Sequence, residues 1–272
     1  DLHLIFEPKI VRREDFTGGS KARIKSGHCT ACGKCEELCR FNSIYFDGPG
    51  NGRVSRTFRV ETTACEGCGV CVDYCVENAI EFAPAVCGQW FVSEARCGPM
   101  VHTKLGIAAE NSGKLVTQVR RTAGEVAHKQ GLELILCDGS PGIGCPVIAS
   151  LTGASLVLFV VEPTISGVHD FRRVAQLAAR LDVPGLLAVN KADLNEEIAN
   201  ELEAMATRHG ILPVGRIPYD REVTRSQIAR KTVVEASNGP AAQAIRAVWA
   251  EVQKRLSSVG SSAVGGLVQI QS

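Results

Sequence analysis

Short, mostly apolar runs alternate with amphipathic stretches along the second half of the chain. LELILC at 132–137, SLVLFVV at 155–161, GLLAV at 185–189 and ILPVGRI at 211–217 each read as a strand. Their leucine, isoleucine and valine content suits strands covered on both faces. Between and after them, apolar residues recur at helical spacing near 167–181, 195–209, 221–231 and 239–256. This alternation predicts a parallel, doubly wound α/β sheet. Ligands of such sheets bind beyond the carboxyl ends of the strands.

The 272-residue length fits about two domains. A hydrophobic fraction of 45% supplies a core and excludes wholesale disorder. Thirty Lys plus Arg balance 29 Asp plus Glu, and aromatic residues make up only 5%. Neither a polyanion-binding surface nor a base-stacking platform is implied, so no nucleic-acid partner is expected. The apolar run LVLFVV at 156–161 is far short of a membrane span, and DLHLIFEPKI at the start shows no signal-peptide pattern. Twelve cysteines in a long α/β chain point to metal ligation in a reducing, cytoplasmic setting rather than to a disulfide framework.

Eight of these cysteines form an internal repeat. HCTACGKCEELCRFNSIYF and ACEGCGVCVDYCVENAIEF superpose at a fixed offset, placing Cys29, Cys32, Cys35 and Cys39 on Cys65, Cys68, Cys71 and Cys75. Gly33 falls on Gly69, Asn42 on Asn78, Ile44 on Ile80 and Phe46 on Phe82. Each half spells C-x2-C-x2-C-x3-C, which resembles bacterial ferredoxins that bind [4Fe–4S] clusters. Three thiolates on one tight loop can face three corners of a cube, while the fourth, at a helix start, points away. The resemblance implies that Cys29, Cys32, Cys35 and Cys75 hold one cluster and that Cys65, Cys68, Cys71 and Cys39 hold the second. Gly33 and Gly69 would admit close backbone approach. Ile24, Ile44, Phe46, Val60, Ile80 and Phe82 would exclude water. Arg40 and Val76 stand where the bacterial run usually has proline, which bears on local geometry and potential rather than on ligation. A pair of zinc sites is the competing reading, but zinc gives no reason for the doubled triplet.

Further chemistry lies at the predicted strand ends. The first strand runs into Asp138-Gly139-Ser140-Pro141-Gly142, the third into Asn190-Lys191-Ala192-Asp193 and the fourth into Ile217-Pro218-Tyr219-Asp220. An aspartate before a Gly/Pro loop suits magnesium and a phosphate-sensing switch, and NKxD offers amide and carboxylate groups to a purine edge. In this order they read as a nucleotide-binding rim. With DLHLIFEP at 1–8, GPMVHTKLGIAAENSGKLV at 98–116, DGSPGIGCPVIAS at 138–150, VEPTISGVHD at 161–170 and GRIPYD at 215–220, the chain resembles MinD-like P-loop ATPases carrying an inserted dicluster ferredoxin domain.

The resemblance implies a doubly wound, mostly parallel P-loop-type sheet with an inserted α+β bacterial-type ferredoxin domain. Residues 1–22 and 85–257 would form the ATPase domain and 23–84 the insert, with 258–272 a flexible tail lacking a membrane-anchoring helix. It implies two [4Fe–4S] clusters, ATP and Mg2+, and a homo- or heterodimer with a related ATPase. Asp138 corresponds to the magnesium aspartate, Gly142 to the switch glycine, Asn190, Lys191 and Asp193 to the base-side loop, and Pro218 to the adenine rim. No G-x4-G-K-[ST] loop is present; Ser112-Gly113-Lys114 fails because Ala108 replaces its first glycine and Leu115 its hydroxyl residue. The expectation is a sequence starting downstream of the P-loop and of two strands, inactive as an ATPase, its sheet exposing an unpaired edge.

Other residues carry plainer readings. Cys87 and Cys97 read as free thiols, and Cys145 as a small residue beside a helix start or a redox-sensitive thiol. His102 and His169 read as structural histidines, and Glu162-Pro163-Thr164 as a strand-terminating turn or a nucleotide contact. The functions that follow are ATP-dependent transfer of electrons or a cluster to a protein partner, a plain electron carrier on an inactive scaffold, and a regulatory ATPase with sensing or structural clusters. An amidotransferase is disfavoured, because no glutaminase domain is evident.

Overall fold

The computed structural model describes residues 2–106, 113–259 and 265–271. Residues 107–112, which include part of the 98–116 motif and Ser112, lie outside the described residues, as do 260–264. The chain divides into two compact units. One comprises the chain up to Arg12, Val92–His102 and the chain from Gly113 onward; the other comprises Arg13–Phe91 with a short segment from Thr103. The second extends on both sides of the 23–84 span expected for the insert.

The cysteine-bearing unit is built from short pieces. Helix α1 (Leu2–Phe6) belongs to the other unit; from the long strand β1 (Lys9–Ile24) the chain continues through α2 (Lys34–Glu37), β2 (Ile44–Gly48), β3 (Thr57–Val60), α3 (Val70–Asp73), β4 (Ile80–Ala95) and β5 (Gly98–Leu105). β2 and β3 form an antiparallel pair, and β1, β4 and β5 form a sheet in the order β1-β4-β5. The boundaries between the units fall within these last three strands.

The larger unit is a doubly wound sheet. It continues through α4 (Gly113–Gln130), β6 (Leu134–Asp138), α5 (Cys145–Leu151), β7 (Leu156–Val161), α6 (Ile165–Arg180), β8 (Gly185–Asn190), α7 (Glu196–Arg208) and β9 (Leu212–Ile217). It closes with α8 (Arg221–Ile228), α9 (Val233–Ala236), α10 (Pro240–Val259) and β10 (Gly265–Gln271). The sheet order is β6-β10-β7-β8-β9, with every pairing parallel.

Side-chain alternation divides the core between the two faces. Val157, Phe159 and Val161 of β7 with Leu187 and Val189 of β8 pack toward Phe171, Val174 and Leu202 of α6 and α7. Leu156, Leu158, Leu186 and Ala188 point the other way, onto Ala241, Val248 and Val252 of α10. No described helix is long and apolar enough to cross a membrane.

One expectation is corrected here. The chain end, read as a flexible tail, continues α10 to Val259 and then places β10 between β6 and β7, pairing Gln269 with both Asp138 and Leu158. Against the expectation of an unpaired edge, the backbone N–H and C=O groups of β6 and β7 pair through LVQIQ, which carries the β-branched Val268 and Ile270.

Candidate metal centre and strand-end cluster

The repeat seen in the cysteine runs is a repeat of backbone conformation. Ala31 and Gly67 adopt φ of 59° and 65°, Gly33 and Gly69 both 79°, and Asn42 and Asn78 48° and 49°. The first two pairs turn the chain between successive cysteines and the asparagines turn it after the fourth; glycine and asparagine tolerate that conformation best. Gly33 and Gly69 then cap α2 and α3, on which Cys35 and Cys71 ride. Lys25 N–H donates to the Ala79 carbonyl and Glu61 N–H to the Ser43 carbonyl, both at 2.7 Å, so each half closes onto the other.

That closure leaves two small, partly open cavities among the cysteines. Cys65, Cys68 and Cys71 line the first with Cys39. Cys29, Cys32 and Cys35 line the second with Cys75. Each fourth cysteine thus stands at the cavity of the other run. Ile44, Val60 and Ile80 are buried around the cysteines, and Ile24 is partly buried. Phe46 and Phe82, expected to shield, are 45% and 40% exposed; Phe46 packs on Phe58 and Phe82 lines the first cavity. Among the described residues, no three His, Cys, Asp or Glu side chains converge closely enough for a single metal ion. The thiols surround a volume instead of meeting at a point.

Electrostatics within the cavities is set by burial and by neighbouring sulfur. Burial, with repulsion from Cys29 and Cys32, pushes the Cys35 thiol up to about 11. Burial, with Cys65, Cys68 and Cys39 nearby, pushes Cys71 up to about 11. Burial also raises Cys39, but hydrogen bonds from the Ser43 hydroxyl and nearby backbone N–H groups outweigh it, and this thiol falls below its ordinary range. The donor set fits an iron–sulfur group: sulfur ligands, a half-apolar lining, and N–H groups aimed at sulfur from Ser43 and Ala79. Because thiolate is the ligating form, loading must release protons.

Three residues of this site carry no motif of their own. Asn51 Nδ2 donates to the carbonyls of Ser26 and Cys29 at 2.7 and 2.8 Å, holding the first cysteine turn. Lys21 Nζ donates to the Cys65 carbonyl. Ser43 Oγ lies 3.2 Å from Cys39 Sγ. Of these, Ser43 had a signal in the sequence, since the repeat breaks there and its counterpart is Ala79.

The strand-end residues lie along the carboxyl edge of the larger sheet. Asp138 ends β6, where burial raises its carboxyl, and Gly142 takes φ of 86° in the loop before α5. Asn190 ends β8, and Lys191, left-handed at φ 52°, pairs with Glu162 at 2.7 Å. Asp193 accepts the Tyr219 N–H at 2.7 Å, which joins its loop to that of Pro218. Asn190, Lys191, Asp193 and Pro218 therefore occupy adjacent loops, whereas β10 and β7 separate Asp138 from them.

The remaining candidates have structural surroundings. Thr164 caps α6 through the Gly167 N–H at 3.0 Å. His102 bonds Ser93 at 2.9 Å and is lowered by burial, and His169 meets Asp170 at 3.3 Å. Cys87 Sγ donates to the Ala85 carbonyl, while Cys97 and Cys145 are exposed.

Comparison with known proteins agrees with this geometry. Residues 28–79 match the family of 4Fe-4S dicluster domains. The uncharacterized protein MJ0578 of Methanocaldococcus jannaschii is 30% identical over 227 residues, which cover 83% of this chain and 72% of that protein. The chain belongs to the same family as MJ0578. This family member is a mixed α/β chain with a parallel sheet and a match to the 4Fe-4S dicluster domain. The uncharacterized ATP-binding protein MJ0547 of the same organism is 25% identical over 122 residues, 44% of this chain and 46% of its own length. Among solved structures, the MinD cell division protein of Aquifex aeolicus aligns with a TM-score of 0.46 at 18% identity, covering 60% of this chain and 68% of that one.

Proposed function

We propose that the chain holds two [4Fe–4S] clusters and passes electrons, or a cluster, to a protein partner in a reducing compartment such as the cytoplasm. The observation that carries this reading is the exchange of the fourth cysteine. Cys39 lines the cavity of Cys65, Cys68 and Cys71, and Cys75 lines that of Cys29, Cys32 and Cys35. When bound, the clusters would supply one-electron chemistry. The chain's own residues orient the thiolates, exclude water with Ile44, Val60 and Ile80, and donate backbone N–H groups toward sulfur.

The finer reading is that nucleotide binding governs this transfer. Asp138 would hold magnesium through water, the loop bearing Gly142 would respond to the terminal phosphate, and Asn190, Lys191, Asp193 and Pro218 would meet the base. A second, related ATPase subunit would complete the site. The loop that cradles phosphates in such sites is not among these 272 residues, so the nucleotide role stands on the strand-end loops alone. Midpoint potentials that shift with MgATP in the natural gene product support this coupling. Unchanged potentials favour a plain electron carrier.

The exchange of ligands is tested by paired cysteine variants. Cys75→Ser should remove about half the iron. Adding Cys29→Ser should remove little more, because both residues serve one cluster, whereas adding Cys71→Ser should remove nearly all. The opposite pattern overturns the assignment.

A further inference from the structure

The two halves of the repeat differ at one buried position beside a cysteine sulfur. Ser43 and Ala79 occupy equivalent sites, each 2% exposed. Their backbones are matched: each carbonyl accepts an N–H at 2.7 Å, from Glu61 and Lys25 respectively. Each backbone N–H points at the preceding cysteine's sulfur, at 3.5 Å for Ser43 to Cys39 and 3.4 Å for Ala79 to Cys75. The difference is a single hydroxyl, Ser43 Oγ, 3.2 Å from Cys39 Sγ.

We infer that Ser43 makes the two centres unequal, raising the reduction potential of the one ligated by Cys39, Cys65, Cys68 and Cys71 above that of its neighbour. The inference rests on the two-cluster reading above. A ligating thiolate has no proton to give, so the serine hydroxyl must be the donor. A hydrogen bond to ligand sulfur offsets negative charge, and the reduced centre carries one more unit of it. Lys21, donating to the Cys65 carbonyl, places a cation on the same side, whereas the Cys29 carbonyl receives the neutral Asn51 amide. The charges at the rims, Lys34 and Glu77 on the Cys29 side and Glu66 on the other, are exposed and screened by solvent.

A single electron shared by the pair therefore resides on the Ser43 side. That side is reduced by the electron the Cys29 side gives up, and no third reactant takes part. Ser43 is a positioning residue for charge and not a ligand.

The test is an anaerobic reductive titration of the iron-loaded full chain, following both centres by EPR. In the parent chain the two midpoints should differ. Ser43→Ala should lower the upper midpoint by about 59 mV, a tenfold change in the ratio of reduced to oxidised centre, and leave the lower one in place. Ser43→Thr keeps the hydroxyl and should keep the potential. Ala79→Ser should raise the lower midpoint by a similar amount, so the proposal is tested even if Ser43→Ala folds poorly. With about eight irons per chain, midpoints that move in neither Ser43→Ala nor Ala79→Ser overturn this inference alone. A chain that takes up no iron overturns the two-cluster reading and this inference with it.

Discussion

Replacing Gly67 with alanine should damage one half of the repeat far more than its counterpart in the other half. Gly67 lies between Cys65 and Cys68 at φ 65°, and a β-carbon there would sit 2.1 Å from the carbonyl oxygen of Ser20. The left-handed conformation alone costs a residue with a β-carbon about 1–2 kcal/mol. The contact must also open by more than about an ångström to reach ordinary van der Waals distance, and the obstacle is backbone in β1, not a side chain that can swing away. Together these give a loss of about 2–4 kcal/mol. The position repeats as Ala31, already an alanine at φ 59°. Ala31→Gly should therefore change stability by less than about 1 kcal/mol, because relief of the left-handed strain and the added freedom of the unfolded chain nearly cancel. Urea unfolding followed by far-UV circular dichroism, with iron content measured in parallel, compares the two. Gly67→Ala should unfold at lower urea and retain less iron in the centre it borders. Equal stability and equal iron in the two variants would refute the steric argument.

Three further outcomes follow from the larger unit. Leu187 is fully buried at the middle of β8, and Leu187→Ala should cost about 2–5 kcal/mol by urea titration. Thr164→Ala removes the hydroxyl that accepts the Gly167 N–H at the start of α6 and should cost about 1 kcal/mol in the same assay. Hydrogen bonds from Arg96, then from the backbone and hydroxyl of Thr232, hold the Glu235 carboxyl down at about 2. A carboxyl lowered on folding stabilises in full above its ordinary value of 4.5 and loses that contribution as pH falls toward about 2. The stability gap between the parent chain and Glu235→Gln should therefore be present at pH 7 and close across that interval; a gap that widens on acidification contradicts the assignment.

The parts legible in the sequence are those in which one physical requirement repeats. β7 and β8 announce themselves because both faces are covered, so nearly every residue is apolar. The cysteine loops do so because ligand spacing and the left-handed residues recur together at Gly33 and Gly69, and at Asn42 and Asn78. Helix α4 is harder to read, since its buried face is Leu115, Thr122 and Ala127, one large apolar residue among small or polar ones. β1 shows no alternation because most of its residues are exposed. β10 is illegible for a different reason: GGLVQIQ becomes a strand through the vacant pairing positions of β6 and β7, which lie far away in sequence. At the site, the eight cysteines could be named from spacing and Ser43 only as a break in the repeat, whereas Asn51 and Lys21 act through hydrogen bonds to backbone carbonyls that no periodicity encodes. Which strand-end residues share a neighbourhood depended on strand order, and that order sets Asp138 apart from Asn190.

The account is tested most directly by the metal bound to anaerobically prepared protein. Elemental analysis with acid-labile sulfide should give about eight iron and eight sulfide per chain, and the reduced protein should show the EPR signals of interacting [4Fe–4S] centres. Stoichiometric zinc without sulfide would contradict it.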